Sequence, residues 1–257
     1  MVPKNYIELE IKQLLHEDFD IKKNLFSGKL KIINMFKSIV FYFLTFFWII
    51  IFSKSSNKKK IKCDLIIDQI EHEGEAQRLH MLAKKFKPYL YISKVNLDKK
   101  YNFLSFNSMK GYSRKLVFSI FFKYIFNFFF FTLKNSILYR TNFFIIVLHI
   151  LKRVMKYESL FSQIDGKYLF QERHFATSAI KNFLFKKHGG KTTSCTQRDI
   201  TVNSITGYFY LNTDILFSIG NKTALPKFFP GSKIKNIIPV GSIAMESEVS
   251  CPKKIDV

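Results

Sequence analysis

From residue 63 onward, short apolar runs alternate with longer amphipathic ones. "CDLIIDQ" (63–69) has a short apolar centre, 65–67, between polar residues and reads as a buried strand. "EGEAQRLHMLAKKF" (73–86) repeats its apolar residues at helical spacing. Ala76, Leu79, Ala83 and Phe86 then share one face, acids open the segment, and Lys84 and Lys85 close it, in the order the helix dipole favours. "PYLYISKV" (88–95) and "YNFLSF" (101–106) read as strands. "KYLFQE" (167–172) is a further strand, and "TSAIKNFLFKKHGG" (177–190) a helix with Ile180, Phe183 and Leu184 inward. Lys186, Lys187 and His188 fall in its last turn and Gly189 stands where a helix stops. "KTTSCTQ" (191–197), "DILFSIG" (214–220) and "IKNIIPVG" (234–241) complete the strands, with a short helix and turn between the last two.

Strand–helix–strand units of this length imply parallel strands and right-handed crossovers. The expectation is therefore an α/β fold: a mostly parallel, Rossmann-like sheet with flanking helices. Its domain would span 63–247, with an aromatic helical insertion at 115–160. A helical region would precede it at 1–62. In open parallel sheets, ligands bind beyond the carboxyl ends of the strands.

Two segments break the rhythm. "IVFYFLTFFWIIIF" (39–52) lies within an uncharged stretch at 38–53, flanked by Lys37 and Lys54. As a helix it would cover about 24 Å, against roughly 30 Å of hydrocarbon. Lysines crowd both sides, without the asymmetry of a typical span. Three placements stay open: crossing the bilayer, lying in its interface, or packing inside the protein. In "KLVFSIFFKYIFNFFFFTLKN" (115–135), Lys123, Asn127 and Lys134 would share one face of an otherwise aromatic helix. That suits a helix half sunk among headgroups, or a core helix with one wet edge. "FFIIVLHILKRVMKY" (143–157) continues in the same style, with His149 packed rather than ligating.

The net charge of +22 over 257 residues implies an acidic partner. Abundant Lys, Asn, Ile and Phe also fit an A/T-rich genome. The apolar segments favour an anionic inner leaflet over nucleic acid, because no nucleic-acid-binding motif is present and the aromatics lie in apolar runs. The expected location is the cytoplasmic face of a bacterial inner membrane, peripheral or with one transmembrane helix at 38–53. The first 20 residues are polar and carry no signal peptide. Cys63, Cys195 and Cys251 form no CxxC and read as reduced structural thiols. His72 and His80 near Glu73 and Glu75 lack ligand spacing, so no metal is expected.

The expected strand ends carry Asp68, Gln69 and Glu71; Glu172, Arg173 and His174; Gln197, Arg198 and Asp199; Ser218 and Gly220; and Gly241 and Ser242. Glu172 and His174 are the candidate general bases towards a hydroxyl. Alternation lets at most two of residues 172–174 face one site. Arg198 suits a phosphate or carboxylate and Gln197 a sugar hydroxyl, with Arg173 and Asp199 as further contacts. Ser218, Gly220, Gly241 and Ser242 would let a backbone approach the ligand. The acids of "EHEGE" (71–75) are explained by the helix dipole alone. No GxGxxG or GKS motif occurs, so no dinucleotide or P-loop site is indicated.

The succession "YLFQERHFATSAIKNFLFKKHGGKTTSCTQ", "DILFSIG" and "IIPVGSIAMES" resembles the amino-terminal half of certain bacterial glycosyltransferases. These have the two-Rossmann GT-B fold, make surface polysaccharides or teichoic-acid-like polymers, and include relatives of the CDP-glycerol glycerophosphotransferases. The resemblance covers roughly residues 165–247. It implies an acceptor-binding domain for a lipid-linked or saccharide acceptor, with Gly241 and Ser242 in the turn towards a second domain. That second domain would bind a nucleotide-activated sugar or polyol donor. No other cofactor is implied. Many relatives carry Gln-His-Gly where this chain has Gln197, Arg198 and Asp199, which leaves His174 as the substitute base. "CPKKIDV" at 251–257 resembles the start of the second domain, so the chain is expected to be a fragment, inactive alone. A non-catalytic protein binding anionic lipid, and half of a GT-B-fold sugar epimerase, are the alternative functions.

Overall fold

The computed structural model describes residues 2–17, 32–53, 60–105, 112–172, 177–197, 210–220 and 231–241. Two helices come first, α1 (Lys4–Glu17) and α2 (Ile32–Phe52). Strand β1 (Ile61–Ile70), helix α3 (Glu73–Lys85), β2 (Tyr89–Ser93) and β3 (Phe103–Ser105) follow. Two long helices, α4 (Arg114–Leu138) and α5 (Phe144–Ser162), lead to β4 (Ile164–Gln171). Then come α6 (Ala179–Lys187), β5 (Thr192–Thr196), β6 (Asn212–Ser218) and β7 (Lys233–Pro239).

All strands pair in parallel in one seven-stranded sheet, in the order β3-β2-β1-β4-β5-β6-β7. The α/β class and the parallel sheet expected from the alternation are what the structure shows. The chain steps outward from β1 to β3, returns through α4 and α5, and steps outward the other way from β4. The β1–β4 boundary is thus the point where the strand order reverses.

Both faces of β1 are covered, which is why its centre, Leu65, Ile66 and Ile67, is apolar. On one face, Ala76, Leu79 and Ala83 of α3 pack on Leu65, Ile67, Ile70 and Tyr91. On the other, Ile66, Leu90, Ile92 and Leu169 meet a layer built from α1, α2, α4, α5 and α6. Phe86 caps α3 and stays exposed instead of joining its buried face. In α6, Ile180, Leu184 and Phe185 are buried, while Phe183 is half-buried against the Tyr6 ring. The α6 end is a Schellman closure: the Gly190 amide donates to Phe185 O and the Gly189 amide to Lys186 O. Gly189 takes φ +102°, which favours a residue without Cβ.

The polar-looking start of the chain is a structural helix. Ile7 and Leu14 of α1 are buried in the main core, and α1 packs along α5 and α6. Helix α2 begins at Ile32, earlier than the uncharged window, and has 21 residues. At 1.5 Å per residue it is about 31 Å long, the thickness of a bilayer core. Tyr42, Phe46 and Ile49 face the protein, whereas Phe36, Phe41, Phe47, Trp48 and Ile51 face outward. Ile33–Phe52 is long and apolar enough to cross a membrane.

Helix α4 is apolar on the outside. Its buried residues include Thr132 and Ser136, while Phe118, Phe122, Phe130, Phe131, Ile137 and Leu138 are exposed. Lys123 and Lys134 of the expected polar stripe are exposed too; the Asn127 side chain lies outside the described residues. The halves Arg114–Tyr124 and Phe128–Leu138 meet at 49°, so the stripe does not run straight.

Candidate functional site at the strand-order reversal

The parallel register places the carboxyl ends of the strands along one edge. Asp68 pairs with Gln171, Gln171 with Cys195, Thr196 with Phe217, and Ser218 with Pro239. The polar residues at these ends are therefore neighbours from strand to strand.

At the reversal point the edge is densely charged. Asp68 of β1 and Lys181 of α6 form a buried ion pair at 2.7 Å. Lys181 Nζ also lies 5.6 Å from the centre of the Tyr157 ring. Lys156 of α5 stands in the same field: burial lowers its pKa, Asp68 opposes the fall, and Lys181, Lys94 and Arg153 add to it. Arg153 pairs with the fully buried Glu10 of α1. The Glu10 carboxylate also accepts from Ser178 Oγ at 2.8 and 2.9 Å and from the Ile180 amide at 3.2 Å. Ser178 in turn caps α6 by accepting from the Lys181 amide. A carboxylate at the first turn of α6 complements the helix dipole. On the flank, Lys94 pairs with Glu71, whose amide donates to Glu75 at 2.8 Å.

Just before this edge β1 is irregular. Gln69 adopts φ +67°, and the β1–β2 register shifts between Asp68 and Ile70. A bulge at a strand end re-aims the side chains beside it.

Successive residues of β4 face opposite layers. Gln171 is buried towards α6, where its Nε2 donates to Asn182 Oδ1 at 3.1 Å. Glu172 points towards α3, where Arg78 meets its Oε1 at 2.8 Å. Each leaves an acceptor unused: Gln171 Oε1 and Glu172 Oε2 are buried and have no hydrogen-bond partner among the described residues. Buried acceptors are normally satisfied; of the two, Gln171 Oε1 lies under α6 and Glu172 Oε2 on the α3 side, where a donor group would answer it.

The other expected site residues take different roles. The Gln197 amide donates to Phe217 O at 2.8 Å, and its side-chain oxygen accepts from the Ile219 amide at 3.3 Å. Ser218 is buried and donates to Gly220 O at 3.4 Å, so it closes its own turn. Gly241 follows β7 with φ +82°, on an exposed edge strand. Three strand spacings put β7 about 14 Å from β4. Glu172, Gln197, Gly220 and Gly241 thus follow one another along the edge, with Gly241 at its far end. Arg173, His174, Arg198, Asp199 and Ser242 lie outside the described residues.

Lys156, Lys181 and Arg78 were not singled out from the sequence. Lys181 carried a readable signal, because it stands at i+3 from Ser178 and i−3 and i−4 from Leu184 and Phe185, the inward face of α6. Arg78 carried none, since it sits on the exposed side of α3. Cys63 and Cys195 are buried free thiols, each pushed up to about 12 chiefly by burial. Among the described residues no three His, Cys, Asp or Glu side chains are grouped to hold a metal.

Beside the charged edge lies an apolar cavity of about 250 Å³ between α1, α4 and α5. Ile7 and Ile11 of α1 and Ile150 and Leu151 of α5 line it, each within one helical turn of Glu10 or Arg153. No family model, curated protein or solved structure matches the chain.

Proposed function

We propose that the chain is the acceptor-binding half of a membrane-associated, GT-B-type glycosyltransferase of surface carbohydrate synthesis. The observation that carries this reading is the unused acceptor Glu172 Oε2 at the strand-order reversal, on a carboxylate whose other oxygen is held by Arg78. Acceptors left over at a strand end call for hydroxyl donors, and a saccharide supplies them in number. Lys156, half-buried at the same edge, suits the phosphate of a lipid-linked acceptor, while Lys181 is taken up by Asp68. In this reading Glu172, held by Arg78, takes the proton from the acceptor hydroxyl, and His174 is the alternative base. Gln197 and Gly220 shape the neighbouring wall, and Arg173, Arg198, Asp199, Gly241 and Ser242 are the further contacts. The nucleotide-activated donor would bind to a second domain.

The outward Phe130, Phe131, Trp48 and Ile51 support attachment to the cytoplasmic face of a bacterial inner membrane. They equally suit the second reading, a non-catalytic protein that binds anionic lipid. Sedimentation with vesicles separates the two. Vesicles carrying a polyprenyl-pyrophosphate-linked saccharide should retain the chain at least tenfold better than vesicles with the same charge and no saccharide. Glu172→Gln should abolish the difference without changing binding to plain vesicles. Equal retention on both kinds of vesicle would sink the acceptor reading in favour of the lipid-binding one.

A further inference from the structure

The cavity between α1, α4 and α5 is apolar enough to stay dry, and at about 250 Å³ it exceeds the ~150 Å³ apolar cavity known to take up benzene. One of its lining groups is out of place. Thr132 is 1% exposed, and its Oγ1 has no hydrogen-bond partner among the described residues. Asn135, one turn on, adds a second polar group to the same wall. An apolar chamber with an unsatisfied hydroxyl fits neither water nor a plain hydrocarbon. It fits a long alkyl or isoprenoid chain that bears an oxygen.

The surroundings agree with that occupant. Phe131 lines the cavity and is 65% exposed, so the wall is continuous with the outward apolar face of α4. A lipid chain can enter from that side without crossing water. We infer that this cavity is a lipid-chain site, which takes one hydrocarbon chain of a membrane lipid and hydrogen-bonds its first oxygen through Thr132. The inference rests on the membrane reading above for the source of the chain. It places that chain within a helical turn of Glu10 and Arg153, at the threshold of the charged edge.

The test is a fluorescence titration of the full chain with cis-parinaric acid, an 18-carbon polyene. Saturable binding at one site is expected. Val147→Phe, which fills the cavity, should weaken it at least tenfold while leaving Tm unchanged or higher. Thr132→Val should weaken it several-fold without lowering Tm. Displacement of the probe by palmitate but not by a polyprenyl phosphate would make the chain a fatty acyl group; the reverse would make it an isoprenoid. No saturable binding by a chain with intact Tm, unchanged affinity in Val147→Phe, or displacement by neither competitor would overturn the site. The titration involves no saccharide and no transfer, so it can fail while the acceptor reading stands, and succeed if that reading falls.

Discussion

Lys181 Nζ lies 2.7 Å from Asp68 Oδ2, and both side chains are shut off from solvent. One residue belongs to the first strand and the other to a helix 113 positions later. The pair therefore pins α6 over the boundary where the strand order reverses. Removing the cation alone strands a buried carboxylate, which costs about 3–5 kcal/mol. Lys181→Met should show that loss in urea denaturation. Lys181→Met with Asp68→Leu should recover at least half of it, because an apolar pair leaves no charge unpaired. A double variant no better than the single one would mean that the pair acts through other partners.

A second buried carboxylate governs acid stability. Burial raises the pKa of Asp214, but hydrogen bonds from Lys186, the Thr193 amide and Lys235 outweigh it and hold it at about 2, against an ordinary 3.8. The unfolded chain therefore takes up this proton first on acidification. The stabilisation is complete above about pH 4 and is lost as pH falls through about 2. Asp214→Asn should cost roughly 1–2 kcal/mol at pH 7 and flatten the acid limb of a stability–pH curve. An acid limb identical to that of the parent protein would refute the assignment.

Glu10 ties α1 to the rest of the protein through Arg153, Ser178 and the first turn of α6. Glu10→Gln loses the charge that answers both Arg153 and the helix dipole, at about 2–3 kcal/mol. Limited proteolysis should cut the variant within residues 4–17 several times faster. Cleavage at the parental rate would show α1 held by its apolar face alone.

Gly190 is needed for close approach. A Cβ built there would run into the Phe185 ring. Gly190→Ala should lower stability by about 1–3 kcal/mol through displacement of that ring. Gly74, with nothing within 4 Å, is the control, and Gly74→Ala in α3 should be neutral or slightly stabilising. Equal effects at the two positions would contradict the packing described for Phe185.

The outward aromatics of α4 make a surface prediction. Phe130 and Phe131 are 68% and 65% exposed, so replacing both with Asp should leave the unfolding midpoint within about 0.5 kcal/mol of the parent. Binding to vesicles rich in anionic lipid should fall at least tenfold, and the remainder should weaken further with salt. Vesicle binding unaffected by the double change would move the contact surface to α2 or away from the membrane altogether.

The sheet was legible in the sequence because short apolar centres between polar residues mark its strands, 65–67 in β1, 168–170 in β4 and 215–217 in β6. Helix ends were legible where the chemistry is local, as with Glu73 and Lys85 on α3 or Gly189 after α6. The role of α1 was not, because Ile7 and Leu14 are too few to stand out among the charges around them. Their burial depends on α5 and α6, more than 100 positions away. The site was half legible. Asp68, Glu172 and Gln197 announce themselves as polar residues at the ends of apolar runs. Of their partners, Lys181 is placed by the inward face of α6, but Lys156 and Arg78 come from helix positions that no local pattern marks. Glu172 meets Arg78 of α3 as an ion-pair partner, a contact set by the sheet face and not by the local sequence.

The Glu10–Ser178 contact joins positions 168 residues apart, and this separation sets an order of assembly. During synthesis α1 emerges first, but its dock does not exist until α6 has been made. At about 5–20 residues per second the wait is roughly 8–34 s. Through that interval the greasy α2 is already outside the ribosome, with no sheet to pack against. Helices α1 and α2 are thus both made long before the layer they pack into, and α1 cannot be locked until more than half of the sheet has followed.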